Sequence, residues 1–210
     1  MPRASTDNFR SLAALARFLL TAAIGVTIDL VTKSIAFAKL APWGLEEFPG
    51  GQVRVIVRDE VAQEYRFMPH WLHFRAMANQ GAVFGIGQGQ RLLFLVVSAL
   101  AIGFIFYLFS SSGRQRFYQF VLGLLLAGVI GNLYDRATKG YVRDMIYIFP
   151  HRLLFHTGRE VFPWIFNVAD SLLCVGVALI FLHSVLGIFY ADVGADVDKT
   201  KAEKIEPARR

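Results

Sequence analysis

Hydrophobic and polar positions divide this chain into four long apolar runs separated by polar stretches. Phe18–Ala38 is interrupted by charge only at Asp29 and Lys33, while Leu92–Gly113, Phe117–Tyr134 and Ser171–Ala191 contain no Asp, Glu, Lys or Arg. A helix needs about 20 apolar residues to cross a bilayer, and about 17 suffice. The pattern therefore predicts transmembrane helices over residues 18–38, 92–113, 117–136 and 166–191. Between the first two, Gln52–Arg58 sets Val53, Val55 and Val57 against Arg54, Ile56 and Arg58, and Tyr65–Met77 is rich in aromatic and β-forming residues. Asp59-Glu60 is the expected turn between these runs, giving a small sheet whose Trp71 and Phe74 suit the membrane interface. The fold class expected is an all-α membrane protein of four transmembrane helices with a small β-rich domain on the outer membrane surface.

Composition agrees with that class. Of 210 residues, 55% are hydrophobic and 18% charged, against about 45–50% and about 25% in an average soluble domain. The formal charge of +6 is scattered, so no nucleic-acid partner is expected. Basic residues in the amino-terminal tail, the Arg114–Arg116 loop and Lys199–Arg210 would share one side of a four-helix protein, which by the positive-inside rule is the cytoplasm. The expected organisation is a cytoplasmic tail (1–17), a transmembrane domain (18–191) with an outer β-rich segment (40–90) and an outer loop (137–165), and a charged, disordered cytoplasmic tail (192–210). Arg3, Arg10 and Arg17 ahead of an apolar core, with Ala36-Phe37-Ala38 behind it, resemble a signal peptide. Asp29 and Lys33 would interrupt that segment before cleavage, so an uncleaved first helix is expected. The single cysteine, Cys174, excludes an internal disulfide and any multi-cysteine metal site.

The polar residues inside the apolar runs carry the chemistry. A charge there costs roughly 2.5–3.5 kcal/mol on the lenient insertion scale, so it pairs or serves a function. With both termini inside, Asp29 lies roughly 18 Å beyond Arg17 and Lys33 roughly 24 Å beyond it along the helix. Asn132, Asp135 and Arg136 fall at the outer end of helix 3, and Asn167 and Asp170 at the outer start of helix 4. Independent segments thus deliver polar residues to one depth, and Asn79 and Asp144 lie in the adjoining outer segments. No histidine or cysteine joins this set at ligand-like spacing, so neither a metal nor a cofactor is expected. His151 and His156 read as solvated loop histidines, and Cys174 as a packing residue. Carboxylates remain as catalysts: two held close in a partly dry site share a proton, one activating water and the other protonating a peptide. Asp135, Asp144 and Asp170 are the candidates, and spacing does not choose among them.

Five motifs complete the reading: Asp29-x-x-x-Lys33, Asn79-Gln80-Gly81-Ala82-Val83-Phe84-Gly85, Gly128-x-x-Gly131-Asn132-x-x-Asp135-Arg136, Val142-Arg143-Asp144-Met145-Ile146 and Phe166-Asn167-Val168-Ala169-Asp170. In this order the chain resembles the lipoprotein signal peptidases (signal peptidase II). The resemblance implies an aspartyl endopeptidase of the bacterial inner membrane that acts, as a monomer among membrane lipids, on diacylglyceryl-modified prolipoproteins. The cut would fall on the amino side of the lipidated cysteine, near the outer face. It implies a catalytic pair, Asp144 and Asp170, supported by Asn132, Asp135, Arg136 and Asn167, with Asn79 and Gly81 lining the substrate side and Asp29 and Lys33 a structural pair. Gly81, Gly85, Gly87 and Gly89 suit a flexible segment over the substrate. Two departures stand out. Arg143 takes a position usually apolar in that family, where a cation would lower the pKa of Asp144 unless it snorkels to water. The segments Glu46–Tyr65 and Pro150–Trp164 are longer than the family's compact form. The rival reading, a small ion- or proton-translocating membrane protein, needs polar residues through the whole bundle, and the interior of helix 2 has only Ser98 before its Ser110–Ser112 end.

Overall fold

The computed structural model describes residues 9, 11–42, 44–48, 52–56, 64–81, 90–112, 115–154 and 158–205, the side chains from 187 onward excepted. Four helices account for the apolar runs: α1 (Leu12–Leu40), α2 (Arg91–Ser111), α3 (Arg116–Lys139) and α4 (Val168–Ile205). Each contains a window long and apolar enough to cross a membrane, in α4 within Val168–Leu186. Ser11 caps α1 by accepting from the Ala14 N–H, and Gly140 ends α3 in the left-handed conformation at φ 82°, the geometry that glycine supplies without steric cost.

The helix α3 is the hub. Its buried face runs from Gln119 to Asp135, whereas α2 buries only Ile105 and Phe109. Phe18 of α1 stacks on Phe109, with ring centroids 4.4 Å apart, and meets Phe106 edge-on at 5.4 Å. Arg17 adds a two-pronged hydrogen bond to Gln119 Oε1 at 2.9 and 3.0 Å. Lipid tails are as apolar as leucine, so hydrophobicity does not drive these helices together; close packing at small residues does. A Cβ on Gly128 would meet Leu173 Cγ of α4 at 2.5 Å and the Ala169 carbonyl oxygen at 2.6 Å.

The polar segments build two antiparallel sheets. The first is the hairpin β1 (Leu45–Phe48) and β2 (Gln52–Val55). The second has the order β3 (Glu64–Met68), β4 (Leu72–Asn79), β5 (Val142–Ile148), β6 (Ile165–Phe166). The expected pairing of 52–58 with 65–77 does not occur: β2 pairs with β1, and β3 pairs with β4 across a tight turn at residues 69–71. The expected turn at Asp59-Glu60 lies outside the described residues. The apolar run after Asp144 is strand β5, which pairs with β4 and buries Met145 and Tyr147. Two further boundaries differ. Residues 165–166 are strand, so α4 starts at Val168, and the helix continues through residues 192–205, where disorder was expected. That stretch holds Ala195, Ala202, Glu203 and several lysines, all helix formers.

Gly128→Ala should destabilise the protein in detergent by about 1–3 kcal/mol, since the added methyl forces α3 away from α4. Gly103→Ala, where nothing lies within 4 Å, should leave the melting temperature unchanged or raise it. Equal melting of the two variants would refute the close-packing role of Gly128.

Candidate active site

The polar residues of α1, α3 and α4 meet β4 and β5 in one connected network. Lys33 is fully buried, and its ammonium lies 2.7 Å from Asp29 Oδ2 and 3.5 Å from Asp135 Oδ2. It donates to Asn132 Oδ1 at 3.0 Å. Asp29 also accepts from the Ala169 N–H at 2.8 Å, where α4 begins. A Cβ on Gly131 would run into the Asp29 carboxylate, so only glycine lets α1 come this close to α3.

From Lys33 the network passes to the carboxamides. Asn132 donates to Asp170 Oδ1 at 2.8 Å. Asn167 donates through its side chain to Asp144 Oδ1 at 2.6 Å and to Asn132 Oδ1 at 3.2 Å. Its backbone N–H reaches Asp170 Oδ2 at 3.2 Å, and the Asp170 N–H returns to Asn167 Oδ1 at 3.0 Å. Asn79, at the end of β4, donates to Asp144 Oδ2 at 2.9 Å and accepts from the Gly81 N–H. Both oxygens of Asp144 are therefore held by amides, and the two of Asp170 by Asn132 and Asn167. Burial, and next the charge of Asp170, push the Asp144 carboxyl up to about 7, within reach of neutral pH.

Asp135 is elsewhere in the network. Arg143 clamps it with Nε and Nη2, at 3.0 and 2.8 Å to Oδ1, and donates its backbone N–H to Oδ2 at 3.0 Å. The Arg143 side chain is buried and also donates to Ser34. This corrects the expectation for Arg143: it does not snorkel to water, its cation is engaged by Asp135, and the Asp144 carboxyl is raised, not lowered. Successive strand residues point to opposite faces, so its cation turns away from Asp144 and neutralises Asp135. Nothing in the sequence marks this pair beyond a spacing of eight residues across the Gly140 turn. Arg136, adjacent to Asp135, instead donates to the Gly81 carbonyl at 2.8 Å, its guanidinium 4.9 Å from the Phe94 ring centroid. Residues 82–89, with the other glycines of the expected flexible segment, lie outside the described residues.

Asp170, Asn132, Asn79 and Arg136 line one end of an open groove of about 200 Å³ whose walls include Phe94, Val97, Ala101, Val129 and Leu173. Of the expected site residues, Asp144, Asp170, Asn79, Asn132 and Asn167 come together. Asp29, Lys33 and Asp135 lie behind them, and Arg136, which lines the groove, holds the Gly81 carbonyl. Cys174 is exposed. His151 is only partly a solvated loop residue, because both its ring nitrogens face carboxylates; His156 lies outside the described residues.

Breaking a buried pair by removing one partner typically costs about 3–5 kcal/mol. Arg143→Met should lower the melting temperature sharply, and adding Asp135→Asn should recover part of the loss. A double-mutant cycle in detergent measures this directly, and a coupling near zero would remove Arg143 from the network.

A family model described as signal peptidase (SPase) II matches residues 21–186. The lipoprotein signal peptidase of Symbiobacterium thermophilum is 32% identical over 169 residues, covering 80% of this chain and 93% of that protein. That of Halalkalibacterium halodurans is 36% identical over 134 residues, covering 62% and 80%. Among solved structures, a bacterial membrane enzyme determined by the in meso method at 2.3 Å resolution superposes with a TM-score of 0.60 at 30% identity, covering 79% of this chain and 85% of that one. A second, at 1.9 Å, gives 0.57 at 28% identity, covering 78% and 89%. The match spans all four apolar helices and both carboxylate-bearing segments, and the chain belongs to the signal peptidase II family.

Proposed function

We propose that this protein removes the signal peptide from diacylglyceryl-modified prolipoproteins, cutting on the amino side of the lipidated cysteine, with Asp144 and Asp170 as the catalytic pair. The observation that carries the assignment is the bracing of these two carboxylates by one residue, Asn167, with Asp170 itself lining a mostly apolar groove and Asp144 buried behind it. Asn79, Asn132 and Asn167 position the pair, while Lys33, Asp29, Asp135 and Arg143 hold the scaffold behind it. Arg136 anchors the Gly81 turn at the groove mouth.

The chemistry follows from one proton shared by two carboxylates. The ionised carboxylate takes a proton from water as the water oxygen bonds to the scissile carbonyl carbon, and the protonated one gives its proton to the carbonyl oxygen. Collapse of the tetrahedral intermediate breaks the C–N bond: the leaving nitrogen takes a proton from one carboxyl while a hydroxyl of the intermediate gives its proton to the other carboxylate, which restores the shared proton. Three carboxamides donate to these oxygens without carrying charge, so they orient the pair and leave the shared proton free to move. The groove supplies orientation: each acyl methylene buried there contributes about 0.8 kcal/mol, which holds the peptide bond at the depth of the pair. In this reading both termini are cytoplasmic, the sheets and the pair lie at the outer face of the bacterial inner membrane, and the enzyme works as a monomer.

Asp144→Asn and Asp170→Asn should each reduce cleavage of lipidated precursor by at least about 10²–10⁴-fold, since an amide cannot relay the proton. Both should insert and fold normally, and the wild type should leave unlipidated precursor largely uncut. Near-normal cleavage by either variant would overturn the assignment.

The rate should also depend on pH in a defined direction. The working pair carries one proton, and with Asp144 held at about 7 that proton is lost as pH rises through and above neutrality. Cleavage in nanodiscs should therefore fall on the alkaline side, approaching tenfold per pH unit once the pair is fully ionised. A rate flat from pH 6 to about 9.5 would contradict a proton shared by this pair.

A further inference from the structure

On the sheet, well away from the helices in sequence, a second group of titratable side chains converges. Glu64 of β3, His73 of β4 and His151, in the turn after β5, bring one carboxylate oxygen and two ring nitrogens within 4.8 Å of one another. Arg66 pairs with His73, and His73 with Tyr147, so Glu64, His73 and Tyr147 share one face of the sheet. Asp144 precedes Tyr147 by three positions and points to the other face. The cluster is therefore separate from the proposed catalytic pair, on the reverse of the strand that carries Asp144.

The geometry assigns these three residues to a site for a divalent transition-metal ion of the zinc class. Glu64 Oε1 faces His73 Nδ1, and Glu64 Oε2 lies 3.3 Å from His151 Nε2. The other nitrogen of His151, Nδ1, faces Glu160 Oε1 at 3.5 Å. A neutral imidazole has one N–H and one lone pair. A neutral His151 turns a lone pair towards one of its two carboxylates, which either a second ring proton or a bound metal ion relieves. With a metal at Nε2 the conflict is resolved: Nδ1–H donates to Glu160, and the Nε2 lone pair binds the ion. A carboxylate behind a ligating histidine fixes its tautomer and orientation in metal sites generally, and Glu160 is itself held by the Tyr147 hydroxyl at 2.7 Å.

The donor set selects the ion. Two imidazoles and a carboxylate suit zinc and its neighbours, whereas calcium and magnesium prefer all-oxygen shells. Ligands about 2.0–2.2 Å from a tetrahedral zinc lie roughly 3.3 Å apart, so small side-chain rotations close the observed cluster onto an ion. Glu64 and His73 are largely buried, with side chains 10% and 7% exposed, and His151 is 58% exposed. Two donors are thus preset in the sheet and the third can close from the solvent side, leaving the fourth position to water. The ion would clamp the β3–β4 hairpin to the end of β5.

The test uses the full chain, purified in detergent through a tag without histidine, stripped with EDTA and desalted. It is then incubated with zinc chloride, desalted again and assayed for bound metal by mass spectrometry. The wild type should retain about one zinc per chain, and added zinc should raise its melting temperature by several degrees. His151→Gln, at an exposed position, and Glu64→Gln should each weaken zinc binding at least tenfold and abolish the thermal shift, while eluting as folded protein with unchanged helical circular dichroism. His183→Ala, remote on α4, should bind zinc like wild type. Cobalt should give the visible absorption of a four-coordinate ion in wild type and not in His151→Gln. Failure of the wild type to retain stoichiometric zinc, or equal retention by folded His151→Gln, overturns the site and leaves a hydrogen-bonded His–Glu–His cluster only.

Discussion

A single buried lysine organises this molecule. Lys33 has no access to solvent, and its ammonium sits among Asp29, Asp135 and Asn132. An ammonium stripped of water inside a helix bundle is tolerable only with opposite charge and hydrogen bonds around it. Satisfying it draws α1 against α3, and Asp29 then reaches across to the first turn of α4. Asn132, fixed by Lys33 on its oxygen, is left with its NH₂ group to offer Asp170. The position of a carboxylate in α4 is thus set by a cation in α1 through one carboxamide.

The same constraint explains why glycines lie where they do. Gly131 passes the Asp29 carboxylate and Gly128 passes α4, each too closely for a side chain. Small residues let the backbones approach, and that approach brings Lys33, Asn132 and Asp29 within hydrogen-bonding distance. Packing and polar bonding are one device here, because neither holds without the other. Arg143 extends it into the sheet: its guanidinium satisfies Asp135 while its backbone lies in β5, so the strand that bears Asp144 is tied to the end of α3.

The four helices were legible because their apolar runs are too long for anything else, and the polar residues within them because each is conspicuous against that background. The sheet was less so. The run Met145–Ile148 looks alike whether it lies in a helix or a strand, and its partner β4 is about seventy residues earlier in the chain. The partner of Asp135 was likewise hidden. Arg136 is adjacent in sequence, but neighbours on a helix point about 100° apart, and the cation that arrives is Arg143 from beyond the turn. Glu64, His73 and His151 have no ligand-like spacing either; the sheet's pairing alone assembles them. Within the carboxylate site, spacing left Asp135, Asp144 and Asp170 open, and the fold separates them: two braced by Asn167, one clamped by Arg143.

The helix α2 is buried only near its carboxy-terminal end, at Ile105 and Phe109; its other end is held by Arg91 on the Ala137 carbonyl and Phe94 under Arg136, while Leu92, Leu93, Val96, Val97 and Leu100 face outward. In a helix long and apolar enough to cross a membrane that outward face would meet lipid, and the groove beside Phe94 and Val97 would open to hydrocarbon rather than to water. An amphiphile reaches it by diffusing sideways in the plane of the membrane, at a concentration set by its partitioning into lipid. Apparent affinities for this groove are then ratios to lipid, counted as mole fraction in the bilayer. Two compounds that fit the groove equally well will differ in apparent strength by the ratio of their partition coefficients.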